Sequence, residues 1–134
     1  MNRSQYDAYL NLFNSRDYDG VTSHFKHDAV IAFADIRLRG HDAIRRFYAF
    51  FHDHVSEQIR VNRFLSDDRS VMLEAVVRLE GKKRLTPEAI ENHGYASILP
   101  LEKGQVIEIP QFIHYHLDGG EFSTALCAIA TFEI

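Results

Sequence analysis

Tryptophan is absent from this 134-residue chain, cysteine occurs once and proline three times. One cysteine, Cys127, closes no internal disulfide, so burial alone has to hold the fold, and a reducing, cytoplasmic setting is the expectation. Charge of one sign is also lacking. Fifteen Lys and Arg stand against nineteen Asp and Glu, a net charge of −4. The arginines are scattered (Arg37 and Arg39, Arg45 and Arg46, Arg60 and Arg63) rather than gathered into a basic run, which excludes a nucleic-acid or anionic-membrane surface. No apolar stretch approaches the ~20 residues that span a bilayer. The opening MNRSQYDAYL lacks the apolar centre of a signal peptide. Nor is there a phosphate-cradling glycine loop, a serine elbow or a dinucleotide fingerprint, so no cofactor is expected. What remains is 46% hydrophobic and 12% aromatic, all of it Phe and Tyr. That composition builds one domain, residues 1–134, with a real core.

The periodicity is helical first and strand-like later. Tyr6, Tyr9, Leu10 and Phe13 recur at helical spacing behind a capping box at Ser4 and Asp7. Asp17 caps a short second helix with Tyr18, Val21 and Phe25 on one face. AVIAFADI (29–36) is a buried strand, turning at Asp35. Gly40 opens a third helix on which Ile44, Phe47, Tyr48 and Phe51 share a face. The period then becomes two, with strands on either side of an Asp67-Asp68 hairpin turn. Thr86-Pro87 begins a further helical turn that Gly94 stops. The stretch IPQFIHYHLD, a Gly119-Gly120 turn and EFSTALCAIATFEI make a closing hairpin. Helices should therefore pack on one face of a curved, mainly antiparallel sheet, an α+β fold.

Alternation along 107–118 puts Glu108, Pro110, Phe112, His114 and His116 on one face, with Ile107, Ile109, Ile113, Tyr115 and Leu117 on the other. A two-residue turn sets His114 opposite Ala125 and continues the histidine face into Ala125, Cys127 and Ile129. The expectation is that this face looks into a cavity. The opposite, equally apolar face is then covered by a second copy in a homodimer.

YLNLFNSRDYDGVTSHFKHDAVIAF, LRGHDAIRRFYAFF and GQVIEIPQFIHYHLDGGEF together resemble the nuclear transport factor 2-like superfamily, and within it the SnoaL-like polyketide cyclases and ketosteroid isomerases. The resemblance runs from about residue 4 to the end. It implies a cone-shaped fold: three N-terminal helices packed on a strongly curved sheet that encloses an apolar pocket, often in a dimer. The isomerase tyrosine that polarises a substrate carbonyl falls on Tyr9, and its supporting tyrosine falls on Tyr48. A third tyrosine of that network falls on Phe25. The general-base aspartate falls on Phe33 and the oxyanion-hole aspartate on Phe112. Phenylalanine moves no proton, so an isomerase site of that design is not expected.

The chemistry then rests on other groups. Tyr9 and Tyr48 are neutral donors at pH 7. His114, with an ordinary pKa near 6.5, is the expected proton-transfer residue. Asp35 is a second candidate. Phe33, Phe51, Phe112, Glu108 and His116 are expected to line the substrate. His114-x-His116 followed by Glu121 imitates half of a cupin metal motif, but no further histidine follows, and no metal is expected. The expected function is a cofactor-independent acid/base enzyme, lyase or isomerase in type, acting on a small apolar, aromatic or polycyclic molecule. The alternative is a non-catalytic binding or scaffold domain.

Overall fold

The computed structural model describes residues 1–131. Helix α1 (Arg3–Asn14) starts from Asn2, whose side chain accepts from the Gln5 backbone N–H while the Gln5 side chain accepts from the Asn2 N–H. The box expected at Ser4 and Asp7 thus sits two residues earlier. Asn2 caps as well as serine does, and Asp7 is left to pair with Arg3 at 2.9 Å. Helix α2 (Tyr18–Thr22) is capped by Asp17, which accepts from the Gly20 N–H. Phe25 lies beyond that helix and opens strand β1 (Phe25–Phe33), four residues ahead of the expected start. Strand β2 (Ile36–Arg39) returns from the Ala34–Asp35 turn, and α3 (His41–His54) follows Gly40.

Strands β3 (Val55–Ser66) and β4 (Ser70–Gly81) form the expected hairpin. Helix α4 (Pro87–Asn92) begins at the Thr86 cap, and the chain from Tyr95 to Leu101 has no strand of its own beyond a bridge between Leu101 and Leu85. Strands β5 (Val106–Asp118) and β6 (Glu121–Ile129) close the fold. The last strand, expected to run to the C-terminus, ends at Ile129, and residues 132–134 lie outside the described part. Among the described residues no helix is long and apolar enough to cross a membrane.

The six strands form one curved, unclosed sheet in the order β2-β1-β6-β5-β4-β3, antiparallel except where β1 lies parallel to β6. Alternate β4 residues Val71, Leu73, Ala75, Val77 and Leu79 are buried, which marks the concave face. The α1 stripe packs there ring on ring: Tyr9 meets Phe122 edge-on at 4.9 Å and Phe25 at 6.0 Å. Each such fully buried phenylalanine contributes roughly 2–3 kcal/mol of hydrophobic stabilisation. Gly81 ends β4 where the turn before β5 crosses it. A Cβ there would meet the Glu102 carbonyl oxygen at 2.1 Å, so only glycine fits.

The closing hairpin departs from the expected register. Asp118 pairs with Glu121 and Leu117 with Phe122, but His116 pairs with Thr124. Ser123 is one residue extra, a bulge held by its hydroxyl donating to the His116 carbonyl at 3.2 Å. Beyond it every partner moves by one: His114 faces Leu126, while Ala125 and Cys127 lie opposite Tyr115 and Ile113.

Candidate functional site

The two faces of β5 decide where the chemistry can be. Ile113, Tyr115 and Leu117 are buried, and Ile109, Gln111, Ile113 and Tyr115 line a cavity of about 510 Å³ between α1, α3 and the concave sheet. Residues 108, 110, 112, 114 and 116 therefore point to the opposite, convex face. This corrects the expectation for four residues at once. Glu108 and Phe112 are exposed. His114 and His116 sit ring against ring, 4.6 Å apart, with the His114 Nε2 3.4 Å from the Ser70 hydroxyl. The physical reason is the bulge: Ala125 and Cys127, which seemed to extend the histidine face, belong with Tyr115 and Ile113. Phe112, facing outward, also cannot occupy an oxyanion-hole position. Its inward neighbours are Gln111 and Ile113.

Asp35 is likewise absent from the cavity. It is exposed in the β1–β2 turn, where its carboxylate accepts from the Ser97 hydroxyl, and it borders a separate polar groove with Arg37 and Arg46. Tyr9, Tyr48, Phe33 and Phe51 do line the cavity. Phe33 rests edge-on against Phe47 at 5.4 Å, and Phe51 stacks on the same ring at 5.7 Å. Tyr48 is brought in by α3, one turn before His52, and Tyr9 by the inward stripe of α1.

One charged side chain lines the cavity among the described residues: Glu57, near the start of β3. Its carboxylate Oε1 is 2.8 Å from the His52 Nε2, with side-chain exposures of 13% and 3%. The His52 Nδ1 lies 2.8 Å from the Tyr18 hydroxyl, and the imidazole is nearly parallel to both the Tyr18 and Tyr48 rings. Burial lowers the His52 pKa, and the neighbouring Arg16 and Lys82 act the same way, while Glu57 opposes them. The imidazole is therefore neutral at pH 7.

Burial pushes the phenols of Tyr9, Tyr48 and Tyr115 well above the usual tyrosine range. For Tyr48 the Glu57 charge adds to this. All three are neutral hydroxyls throughout the working range. The Tyr115 and Tyr6 hydroxyls are hydrogen-bonded to each other at 2.9 Å. The Cys127 thiol, facing the cavity, is pushed up to about 12 by burial and then by Glu57, which makes it inert. No three His, Cys, Asp or Glu side chains converge as a metal site among the described residues.

Glu57 and His52 are the pair that sequence reasoning missed. A signal existed: period two through Glu57, Ile59 and Val61 places a lone carboxylate on an otherwise apolar strand face. Arg60 and Asn62 on the same strand are both exposed.

The profile of the SnoaL-like domain matches residues 6–125. Among curated proteins none matches. Of the solved structures, a candidate polyketide cyclase from Xanthomonas campestris pv. campestris is 22% identical, with a TM-score of 0.73 over 91% of this chain and 84% of the other. An LEH-like epoxide hydrolase from M. tuberculosis is 16% identical, with a TM-score of 0.68 over 93% and 79%. A protein of ketosteroid isomerase-like fold from Catenulispora acidiphila, solved with trimethylamine, is 11% identical, with a TM-score of 0.72 over 98% and 88%. At these identities the likeness is one of fold.

Proposed function

We propose that this chain, which belongs to the SnoaL-like domain family, is a cofactor-independent acid/base enzyme of the cytoplasm, acting on a small, apolar, enolisable carbonyl compound. The observation that carries the proposal is the isolation of Glu57. Among the described residues it is the one charged side chain lining a mostly apolar cavity, whose other polar side chains are the neutral phenols, Gln111, Ser97 and Cys127. Families of this fold act on or bind small molecules, and an apolar cavity of about 510 Å³ suits a ring compound.

In the proposed reaction Glu57 takes a proton from the carbon beside the carbonyl. The C–H electron pair moves into the carbonyl, and the growing negative charge on oxygen takes hydrogen bonds from Tyr9 and Tyr48. Returning the proton at another carbon gives an isomer, and expelling a leaving group gives a lyase product. The charge bookkeeping favours this division of labour. The Glu57 charge that opposes negative charge beside Tyr48 is neutralised as the oxyanion forms. A positioned base typically contributes about 10²- to 10⁴-fold. One preorganised donor adds roughly 3 kcal/mol of transition-state stabilisation.

The test is hydrogen–deuterium exchange beside the carbonyl, followed by NMR in D₂O across a panel of cyclic and aryl ketones. Wild type and His114→Ala are expected to exchange alike, and Glu57→Gln to lose exchange. Binding without exchange in any variant would assign the cavity to the non-catalytic alternative.

A homodimer is part of the same proposal. Met72 and Leu126, 44% and 40% exposed, flank His114 across the convex face, an apolar surface that a second copy would cover.

A further inference from the structure

Behind the cavity carboxylate lies a chain of hydrogen bonds that the proposed proton transfer does not itself require. Glu57 Oε1, His52 Nε2, His52 Nδ1 and the Tyr18 hydroxyl are joined by two contacts of 2.8 Å, and they belong to β3, α3 and α2 respectively. The imidazole is all but sealed. Tyr48 stacks on it at 5.2 Å, Tyr18 lies nearly parallel to it at 5.8 Å, and Phe13 meets it edge-on at 5.6 Å. Tyr18, in contrast, is only half-buried, so the chain ends near solvent.

The donors and acceptors along this chain can be ordered. An ionised carboxylate only accepts, so Nε2 carries the hydrogen and donates to Glu57. A neutral imidazole then accepts at Nδ1, which makes Tyr18 the donor there. The alternative acceptor for the Tyr18 hydroxyl, the Tyr48 carbonyl, is farther off at 3.3 Å. The charged groups around the ring are Glu57 from β3, Arg16 from the α1–α2 loop and Lys82 from the end of β4; the phenols are those of Tyr18 and Tyr48. Arg16 bonds the Phe13 and Glu57 carbonyls, and Lys82 bonds the His52 carbonyl at 3.0 Å, so both cations are anchored to backbone rather than to the carboxylate. No cation competes with His52 for Oε1 among the described residues.

We propose that His52 and Tyr18 are positioning residues for the cavity base: the Glu57 carboxylate holds His52 as its Nε2–H tautomer, the Tyr18 hydroxyl donating to Nδ1 fixes the ring in place, and the Nε2–H clamps one Glu57 oxygen so that the other faces the substrate. This rests on Glu57 as the base, and it names what fixes that base. Carboxylates swing freely about their last bond, and a single short bond to a sealed, stacked ring removes that freedom before substrate arrives.

Two measurements test it. The first needs no substrate: ¹⁵N NMR of the imidazoles in wild type and Tyr18→Phe. Phenylalanine keeps the stacked ring and removes only the hydroxyl. Wild-type His52 is expected as the Nε2–H tautomer with Nδ1 accepting a hydrogen bond, and Tyr18→Phe is expected to keep that tautomer while its Nδ1 resonance moves downfield on losing the donor. An Nδ1–H wild type, or an Nδ1 resonance unmoved by the substitution, would overturn the proposal.

The second uses nitrobenzisoxazole. Its ring C–H proton goes to the base, its N–O bond breaks as the nitrile forms, and the oxygen leaves as a coloured phenolate. The pH–rate profile of His52→Phe is expected to have its acid limb shifted upward by about one to two pH units, the loss of one N–H to a carboxylate. His52→Gln, which can still donate, is expected to restore most of that shift. Superimposable profiles for His52→Phe and wild type, with Glu57→Gln inactive, would sink the positioning role alone. Glu57→Gln turning over as wild type would sink the base itself, leaving the tautomer result to stand or fall separately.

Discussion

Replacing Glu57 by glutamine and by leucine separates its chemical role from its structural one. Glutamine keeps an oxygen within reach of the His52 N–H, which lies 2.8 Å from the carboxylate in the native protein. A hydrogen bond to a charged group is worth about 1.5–3 kcal/mol and a neutral one about 0.5–1.5, so the bond itself weakens by roughly 1 kcal/mol. Burying an amide costs less than burying a carboxylate, which offsets part of that loss. Urea unfolding of Glu57→Gln is therefore expected within about 1 kcal/mol of wild type. Leucine removes the acceptor and leaves the N–H of a 3% exposed imidazole without a partner, at a cost of about 1–3 kcal/mol. Leucine packing against Ile59 and Leu79 regains some of this. Glu57→Leu should still be the less stable variant by about 1 kcal/mol, while both variants lose proton transfer. A leucine variant more stable than the glutamine variant would refute the donor assignment at His52.

Three further outcomes follow from the same geometry. Because His52 titrates below its unfolded value, the unfolded chain binds the extra proton first. Stability should fall as pH drops through 6.5, by at most about 1.4 kcal/mol per pH unit, and His52→Gln should flatten that slope in urea melts taken between pH 7 and pH 5. The buried phenols of Tyr6, Tyr9, Tyr48 and Tyr115 have the opposite sign, holding their protons above pH 10 while the unfolded chain loses them. Stability should drop above pH 10 by up to about 5 kcal/mol per unit, and tyrosinate absorbance should rise together with loss of circular dichroism. Leu126→Lys places a charge on the exposed apolar strip of the convex face. Light scattering should then report a monomer that keeps its melting temperature within a few degrees, whereas an unchanged mass would place the dimer contact elsewhere.

The helices and the succession of elements along the chain could be read from sequence because their physics is local. Tyr6, Tyr9, Leu10 and Phe13 make one stripe, Asp17 and Thr86 are caps, and Gly119-Gly120 supplies the positive φ that a tight hairpin needs. The orientation of β5 could not be read this way, because both of its faces carry apolar and polar residues. Phe112 and His114 stand outside, Gln111 and Tyr115 inside, and period two alone does not say which set is inward. Pairing β5 with β6 was the natural arbiter, and the inserted Ser123 inverted that comparison. A bulge of one residue has no compositional mark, so Ala125 and Cys127 were assigned to the wrong face. The tyrosines were found because a family resemblance placed them. Glu57 stayed hidden because no isomerase acid falls there, and because β3 carries three charged residues, Glu57, Arg60 and Arg63, whose phase only the β3–β4 register reveals.

The most direct measurement is the rate at which wild type and Glu57→Gln convert nitrobenzisoxazole at neutral pH. A carboxylate held in an apolar cavity predicts a loss of at least about a hundredfold in the glutamine variant, with His114→Ala unchanged. Equal rates for wild type and Glu57→Gln, or a loss in His114→Ala alone, would contradict it.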